Sequence, residues 1–400
     1  MSKRSLLAGS AMLLFVSSAH AQSDPAPQQG DYHTEPSREI LVTGAFQRNQ
    51  EDILSGTSVL TGADLVRNLK TTIGDTLTSQ PGVSATSFGP NASRPVLRGL
   101  QGERVRVLTD GIGSFDVSNT SVDHAVVINP LTADRIEVLR GPSALLFGSA
   151  AIGGVVNVVD SRIPRRIPDE PVHIDGIATY GSAANERSIS AAADAPVGGK
   201  IVFHVDGTYT KSGDLDTGSY ILPPELRSQA AASSDPEIAA LADLKGKLPN
   251  SAGRTWDMAG GVALITDTGN LGFSISHFDS LYGVPVRYSF DLDIEAEQVR
   301  IDMKQTRADV RGGVDTGGGF LDKIRFRAGF ADYQHSEIDD TGAVGTTFYS
   351  QGLESRLELV QQKHGGWEGA FGGQILMRSF RVVGDEKFLP KNETEQYGLF

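Results

Sequence analysis

The second half of the chain alternates between apolar and polar residues, and this alternation restricts the possible folds more than any other feature. In 200–210, one face carries Ile201, Phe203, Val205 and Tyr209, and the other carries Val202, His204, Asp206, Thr208 and Thr210. A period of two residues is typical of a β-strand. The pattern recurs in ten segments: 172–181, 187–195, 200–210, 254–265, 270–280, 296–311, 320–334, 347–362, 366–380 and 394–400. An apolar face opposite a polar face suits a strand between lipid and a polar lumen.

The connections between these segments are alternately short and long. Short ones fall at 196–199, 266–269, 312–319 and 364–365, and mostly longer ones at 211–253, 281–295, 335–346 and 381–393. Short turns on one side and long loops on the other are typical of outer-membrane barrels. The alternatives are a large soluble β-sandwich or a solenoid. No fixed repeat period is visible in the sequence, which counts against the solenoid. The 211–253 loop contains Pro236 to Leu248, which predicts either a short amphipathic helix that acts as a lid or a plain solvated loop.

The first 21 residues have the three parts of an export signal. Lys3 and Arg4 precede an apolar stretch from Leu6 to Val16, and Ala19-His20-Ala21 forms a cleavage site before Gln22. No later stretch reaches the length of about 18 apolar residues that a membrane-spanning helix needs. If the exported chain enters a membrane, a closed barrel is therefore the expected form.

The composition limits the classes of function. The chain has 400 residues, no cysteine and a formal net charge of −13. Disulfides and thiol chemistry are excluded, and an acidic chain is not expected to bind nucleic acid. The sequence lacks the catalytic motifs G-x-S-x-G and H-E-x-x-H and a phosphate-binding loop, so we expect neither an enzyme nor a resident cofactor.

Two further regions precede the alternating segments. Residues 22–50 begin with a Pro- and Gln-rich linker and include the β-prone segment Glu39, Ile40, Leu41, Val42, Thr43, Gly44 and Ala45. Residues 51–168 mix short helices and strands, among them Asp64 to Leu69, Ile73 to Leu77, Val105 to Leu108, Arg135 to Leu139 and Val155 to Val159. They predict a compact α+β domain of ordinary size.

Five motifs in this domain resemble the plug of TonB-dependent outer-membrane receptors. They are GDTL with QPGV (74–83), PVLRG (95–99), RVRVLTDG (104–111), DRIEVLRGPSALLFG (134–148) and AIGGVVNV (151–158). The resemblance implies an α+β plug domain at 51–168, followed by an antiparallel transmembrane β-barrel at 169–400, in the outer membrane of a Gram-negative bacterium. Receptors of this family have about 22 strands. The ten segments therefore predict an N-terminal fragment with an incomplete barrel.

The resemblance also implies a periplasmic partner. Residues 39–45 resemble a TonB box, an extended segment that adds as a strand to the sheet edge of the periplasmic C-terminal domain of TonB. The alternative is that they form only the first strand of the plug. Arg98, Glu137 and Arg140 are suited to charge pairs between plug and barrel, or to pairs that stabilise the plug itself.

The substrate is implied less directly. Residues 110–125 resemble the plug apex of the zinc-uptake, ZnuD-like branch, in which the residues matching Asp123 and His124 bind zinc. Zinc usually takes four ligands, so the barrel would add others. Candidates near predicted loop ends are His277, Asp279 and His335, together with Asp291, Asp293 and Glu295.

The branch assignment has a weakness and several alternatives. The residues after Tyr282-Gly283-Val284-Pro285 lack the His-rich run expected of a zinc-capturing loop. We expect energised uptake of zinc or another divalent metal ion. An iron-siderophore receptor is the main alternative, and haem, cobalamin, nickel or an organic nutrient remain open. A passive channel and a surface docking protein without transport are the alternatives of another class.

Overall fold

The small domain is built around a five-stranded sheet. The structure, a computed structural model, describes residues 56–286, 298–384, 387 and 389–400, and the backbone of 39–40 and 48–49. The predicted export signal and linker lie outside the described residues. Glu39–Ile40 (β1) pairs antiparallel with Arg48–Asn49 (β2), whereas 41–45 of the predicted TonB box lie outside the described residues.

The plug sheet has the order β3-β8-β9-β6-β7, and β4 and β5 form a separate pair. The strands of the plug are β3 (Ser58–Thr61), β4 (Val83–Ala85), β5 (Pro95–Leu97), β6 (Val105–Thr109), β7 (Ile112–Gly113), β8 (Ala133–Leu139) and β9 (Gly154–Asp160). Two helices, α1 (Gly62–Asn68) and α2 (Ile73–Thr76), cover it. The core is aliphatic, with Leu60, Ile136, Val138 and Val156 almost fully buried. Removal of these side chains from water stabilises the domain.

The large sheet contains ten antiparallel strands in chain order. Its strands are β10 (His173–Gly181), β11 (Glu186–Val197), β12 (Ile201–Ser212), β15 (Gly253–Thr266), β16 (Gly269–Gly283), β17 (Arg300–Asp315), β18 (Leu321–Ile338), β19 (Val344–Gln361), β20 (Ala370–Gly384) and β21 (Asn392–Leu399). The predicted fold class, a plug followed by about ten strands of an antiparallel barrel sheet, is confirmed.

The two faces of this sheet divide as the alternation predicts. On β12, Phe203 and Val205 are exposed, whereas Val202 and His204 are buried. The exposed set on neighbouring strands is also apolar and includes Leu271, Phe273 and Ile275. The buried face packs against the plug. In the described part of the chain, no helix is long and apolar enough to cross a membrane.

The connection after β12 contains a short helix within Pro236 to Leu248, together with further elements. It contains β13 (Asp216–Tyr220), α3 (Pro224–Ala231), α4 (Pro236–Ala240) and β14 (Lys245–Lys247), and β13 pairs with β14. The short helix expected within this stretch is α4, and Lys245–Lys247 near its end form β14. Gly246 has a φ of +85°, which a regular helix does not allow.

Candidate metal site

A loop of the plug carries the first residue of the site. Residues 114–129 follow β7, and the Asp116 carboxylate folds them back on themselves. It accepts hydrogen bonds from the Ser118 backbone N–H (3.0 Å), the Ser118 hydroxyl (2.6 Å) and the Val127 backbone N–H (3.2 Å). Short acidic side chains commonly organise loops in this way. The fold of the loop directs His124 towards the wall of the large sheet.

Tyr282, near the end of β16, fixes the backbone on both sides of His124. Its hydroxyl donates to the Asp123 carbonyl and accepts from the Ala125 backbone N–H, each at 2.9 Å. The Tyr282 side chain is 1% exposed, so these bonds are shielded from water. Two bonds to consecutive peptide groups leave the His124 side chain little freedom to swing.

His124 meets two residues of β18. A period of two places His335 and Glu337 on the same face of that strand. His124 Nε2 lies 3.2 Å from Glu337 Oε1, and one ligand atom from each of the three residues lies within 4.8 Å of the others. His124 and His335 are buried, and Glu337 is half-buried. The cluster therefore joins the plug to the sheet wall.

In each histidine, Nδ1 lies near a hydroxyl group, and Nε2 is the nitrogen left to face the cluster. His335 Nδ1 lies 2.9 Å from the Tyr333 hydroxyl, and His124 Nδ1 lies 3.0 Å from the Thr120 hydroxyl. His335 Nε2 is buried and has no hydrogen-bond partner among the described residues. Its ring also stacks on Phe348, with centroids 4.4 Å apart. Both Nε2 atoms are therefore placed to bind a cation.

The donor set suits a transition-metal ion. Two imidazoles and a carboxylate are ligands that zinc and neighbouring first-row metals accept. Two ligands at about 2.1 Å from a tetrahedral zinc ion lie about 3.4 Å apart, close to the His124–Glu337 separation. Three protein ligands leave one position open for water or another donor. Metal sites usually contain residues that hydrogen-bond to a ligand side chain and hold it in place, as Tyr333 does for His335.

The structure brings only part of the predicted ligand set together. His124 and His335 meet, but the Asp123 carboxylate bonds to the Ser121 hydroxyl and is not part of the cluster. Asp123 lies in a turn, where its carboxylate is engaged by Ser121 two residues earlier, outside the cluster. Glu337 was not predicted, although its spacing of two from His335 indicates a shared strand face.

Two predicted barrel ligands lie on the other face of the sheet. His277 Nδ1 bonds to the Thr306 hydroxyl at 2.9 Å, and its ring packs near Trp256. Asp279 lies between Arg254 and Lys304 at 3.8 and 4.0 Å. Their odd-numbered positions on β16 share the outward face with exposed Phe273 and Ile275, so they cannot reach the plug. Asp291, Asp293 and Glu295 lie outside the described residues.

The residues proposed for plug–barrel coupling bond within the plug. Arg140 donates to the carbonyls of Gly56 (3.3 Å) and Pro81 (2.9 Å), and Glu137 accepts from Arg135 (2.9 Å) and Asn157 (3.1 Å). Arg98, at a φ of +50°, lies beside the plug residue Gly82. These contacts lie within the plug, and the coupling role of the three charges stays a prediction.

Other residues hold the plug to the sheet. Arg106 Nη2 donates to both carboxylate oxygens of Glu354 on β19 (2.9 and 3.0 Å), and the same carboxylate accepts from the Gly113 N–H at 2.8 Å. The carbonyls of 113, 114 and 116 accept from Arg307 (2.7 Å), Gln305 (2.9 Å) and Arg378 (2.7 Å), respectively. The sequence carries no signal for the three bonds to carbonyls, because backbone carbonyls are acceptors at every position.

Comparison with known proteins identifies the small domain. The family model described as "TonB-dependent Receptor Plug Domain" matches residues 49–155. Solved structures with the same fold include the copper transporter OprC, with a TM-score of 0.65, 16% identity and coverage of 86% of this chain and 49% of that chain. The alcaligin outer-membrane receptor FauA of Bordetella pertussis follows with a TM-score of 0.60, 14% identity, and coverage of 90% and 54%. The siderophore receptor PirA of Pseudomonas aeruginosa has a TM-score of 0.57, 17% identity, and coverage of 86% and 52%.

The chain spans about half the length of these solved structures. At these identities the likeness establishes the fold, and it does not single out the zinc-uptake branch. TonB-dependent receptors are outer-membrane β-barrel transport proteins of Gram-negative bacteria and are not enzymes. Residues 49–155 therefore form a TonB-dependent receptor plug domain, and the chain has the plug-and-sheet fold of TonB-dependent outer-membrane receptors.

Proposed function

We propose that this protein is an outer-membrane receptor for the energised uptake of a divalent transition-metal ion, with zinc as the first candidate. The observation that carries the proposal is the cluster of His124, His335 and Glu337. Its ligand atoms face one another at the boundary between plug and wall, where a substrate on its way inward would be held. The metal is the substrate, and we propose no resident cofactor.

The chemistry of the cluster favours a bare metal ion over a large chelate. Both histidines are buried, and Phe348 and Tyr333 pack around His335. A ferric siderophore presents an already saturated iron, so it needs no imidazole or carboxylate ligands from the receptor. Zinc, copper and nickel all accept these donors, and copper binds such sites more tightly by the usual order of affinities.

Energy for uptake requires a periplasmic partner. We propose that residues 39–45 pair with the periplasmic domain of TonB by strand addition, as the resemblance of this segment to a TonB box implies. Glu39–Ile40 is already in the extended conformation of a strand. Lipid contacts the outward apolar face of the large sheet in this proposal.

A binding experiment tests the site directly. Zn²⁺, Cu²⁺ and Ni²⁺ are titrated into the purified protein in detergent and followed by calorimetry. We expect His124→Ala and Glu337→Gln to weaken binding by about 100-fold or more, because even groups that only support metal ligands contribute about 10- to 100-fold. His277→Ala is the matched control, since His277 lies on the outward face, and it should bind as the wild type does.

Equal metal affinity in the wild type and in His124→Ala contradicts the metal site. In that event, binding and uptake of a ferric siderophore become the next measurements. Transport is then measured as the uptake of labelled zinc by cells that carry the gene, at limiting zinc. Deletion of 39–43 should abolish uptake of labelled zinc and leave metal binding unchanged, whereas a passive channel would be insensitive to this deletion.

A further inference from the structure

A small cavity lies between the plug and the wall formed by β12, β15, β16 and β17. Its volume is about 30 Å³, which has room for roughly two water-sized groups. The plug contributes Thr71, Thr72, Asn91 and Asn129, and the wall contributes Thr210, Thr255 and Ser280. Most of the polar atoms that these side chains offer are neutral oxygens.

The wall of the cavity is one row of directly paired residues. Thr210 pairs with Thr255, Thr255 with Ser280, and Ser280 with Met303. The next partner in the same row is His335, which pairs with Met303 across β17 and β18. The row of hydroxyls therefore begins two strands away from His335, with Met303 between them.

The plug side of the cavity also adjoins the metal site. Ala125, which follows His124 in the chain, lines the cavity. Val126, Ile128 and Asn129 continue this lining along the same loop. The loop that carries His124 and the row of paired residues that includes His335 therefore both continue into the lining of the cavity.

The electrostatics of the cavity favour cations. Its lining, as far as the structure describes it, contains no Lys or Arg. Thr71 donates its hydroxyl hydrogen to Glu186 (2.7 Å), and Thr72 donates to Asp75 (2.9 Å). The two carboxylates orient these hydroxyls and add negative potential behind them.

Neutral oxygens bind a metal ion more weakly than imidazole and carboxylate do. A site on a conduction path must attract the ion and still release it. A set of hydroxyl and amide oxygens meets this condition for a partly hydrated divalent cation. A histidine-rich site alone would hold the ion too long.

We propose that this cavity is a transit site, which the metal ion enters when it leaves the His124–His335–Glu337 cluster. This inference rests on the proposed function of the protein. The ion would move sideways along the row of Ser280, Thr255 and Thr210, between the plug and the wall, with hydroxyl oxygens replacing part of its water shell.

Two substitutions separate shape from polarity. Ser280→Leu fills the cavity, and Thr255→Val keeps its shape but removes a hydroxyl. Ser274→Leu is the matched control, because Ser274 lies on the same strand and face and is equally buried at 4%, but does not line the cavity. Uptake of labelled zinc by cells and zinc affinity of the purified proteins are both measured.

We expect Ser280→Leu to slow uptake by about tenfold, the effect of losing one good polar interaction on the path. Thr255→Val should slow it less, Ser274→Leu should not slow it, and zinc affinity should stay unchanged in all three. Wild-type uptake in Ser280→Leu overturns the transit site and leaves the proposed function intact. A wild-type protein that neither binds nor imports zinc overturns both.

Discussion

Burial of His335 has a free-energy cost that the other described residues of the site do not offset. Its Nε2 is buried without a hydrogen-bond partner among the described residues, while Tyr333 holds its Nδ1. A buried polar atom without a partner costs about 1–3 kcal/mol. A bound cation removes this cost, so metal binding should also stabilise the junction between the plug and β18.

The first prediction concerns a residue that never touches the metal. Tyr282→Phe removes the hydroxyl that bonds to the peptide groups on both sides of His124 and keeps the ring that packs against the plug. We expect metal affinity to fall by about tenfold, since support of this kind contributes about 10- to 100-fold. Calorimetry measures the affinity.

Tyr209→Phe is its control, because Tyr209 lies on the outward face of β12. The thermal midpoint of the metal-free protein should fall in Tyr282→Phe, because the buried Ala125 N–H loses its partner, and should stay unchanged in Tyr209→Phe. A Tyr282→Phe protein with wild-type affinity would show that the loop holds His124 without the phenol.

Strands were easier to predict than their ends. The segments 254–265 and 270–280 correspond to Gly253–Thr266 and Gly269–Gly283, because side-chain alternation continues as long as lipid and lumen lie on opposite faces. The predicted loop 335–346 is present but shorter: β18 continues to Ile338 and β19 begins at Val344. His335, Ser336 and Glu337 looked like loop residues because three polar residues in a row interrupt the alternation of apolar and polar positions.

Close packing between two elements leads to the second prediction. Phe115 on the plug has a φ of +57° and lies against Gly352 on β19, where an added Cβ would be 1.9 Å from its ring. We expect Gly352→Ala to destabilise the plug–sheet contact by about 1–3 kcal/mol through overpacking. Hydrogen exchange of residues 112–118 measures the loosening.

A second substitution identifies the cause. Phe115→Ala in the Gly352→Ala background removes the clash, so exchange should be slower in the double variant than additive effects predict. Purely additive effects would mean that Gly352 matters for the strand alone.

The third prediction concerns pH. Burial, together with the nearby Asp110 carboxylate, raises the pKa of Asp160 at the end of β9 from 3.8 to about 6. The folded plug therefore favours the neutral acid. The stability from this group is complete below the unfolded pKa and is lost as the pH rises through about 6.

Asp160→Asn imitates the neutral acid at every pH. We expect the variant to match the wild type near pH 4 and to be more stable near pH 8, by up to about 3 kcal/mol for a shift of this size. Chemical unfolding in detergent at several pH values measures the difference. Asp134→Asn, at an exposed position, is the control. A pH-independent difference for Asp160→Asn would show that ionisation of this buried carboxyl does not limit the stability of the plug.

The whole molecule presents an apolar outer band to its surroundings. Ile275, with half of its surface exposed, belongs to this band, whereas Asp267 lies in the turn between β15 and β16. A lysine on the lipid face of a barrel costs about 2–4 kcal/mol at the midplane and much less near the interfaces. We expect Ile275→Lys to reduce the amount of folded protein in outer membranes, and Asp267→Lys to leave it unchanged, as judged by heat-modifiable gel mobility.

The plug and the sheet could be predicted from sequence, but the metal cluster could not be assembled from it. His124 and Glu337 are separated by 213 positions, and only the docking of the plug against β18 brings them together. Local patterns report on neighbours in the chain, so they identified His124 and His335 as separate candidates and overlooked Glu337. His277 was chosen because it lies near a predicted loop end, whereas its odd-numbered position puts it on the same face as the apolar Phe273 and Ile275.

The cluster draws its ligands from two parts of the chain that are held together by non-covalent bonds alone. A bound ion would therefore act as a cross-link between them. Free-energy coupling is reciprocal: any tension that pulls the plug loop from the wall must lower the affinity for the ion, and any ion that binds must raise the force that the plug withstands. The affinity of the protein for the ion and the force needed to extract the plug would then both report the same coupling free energy.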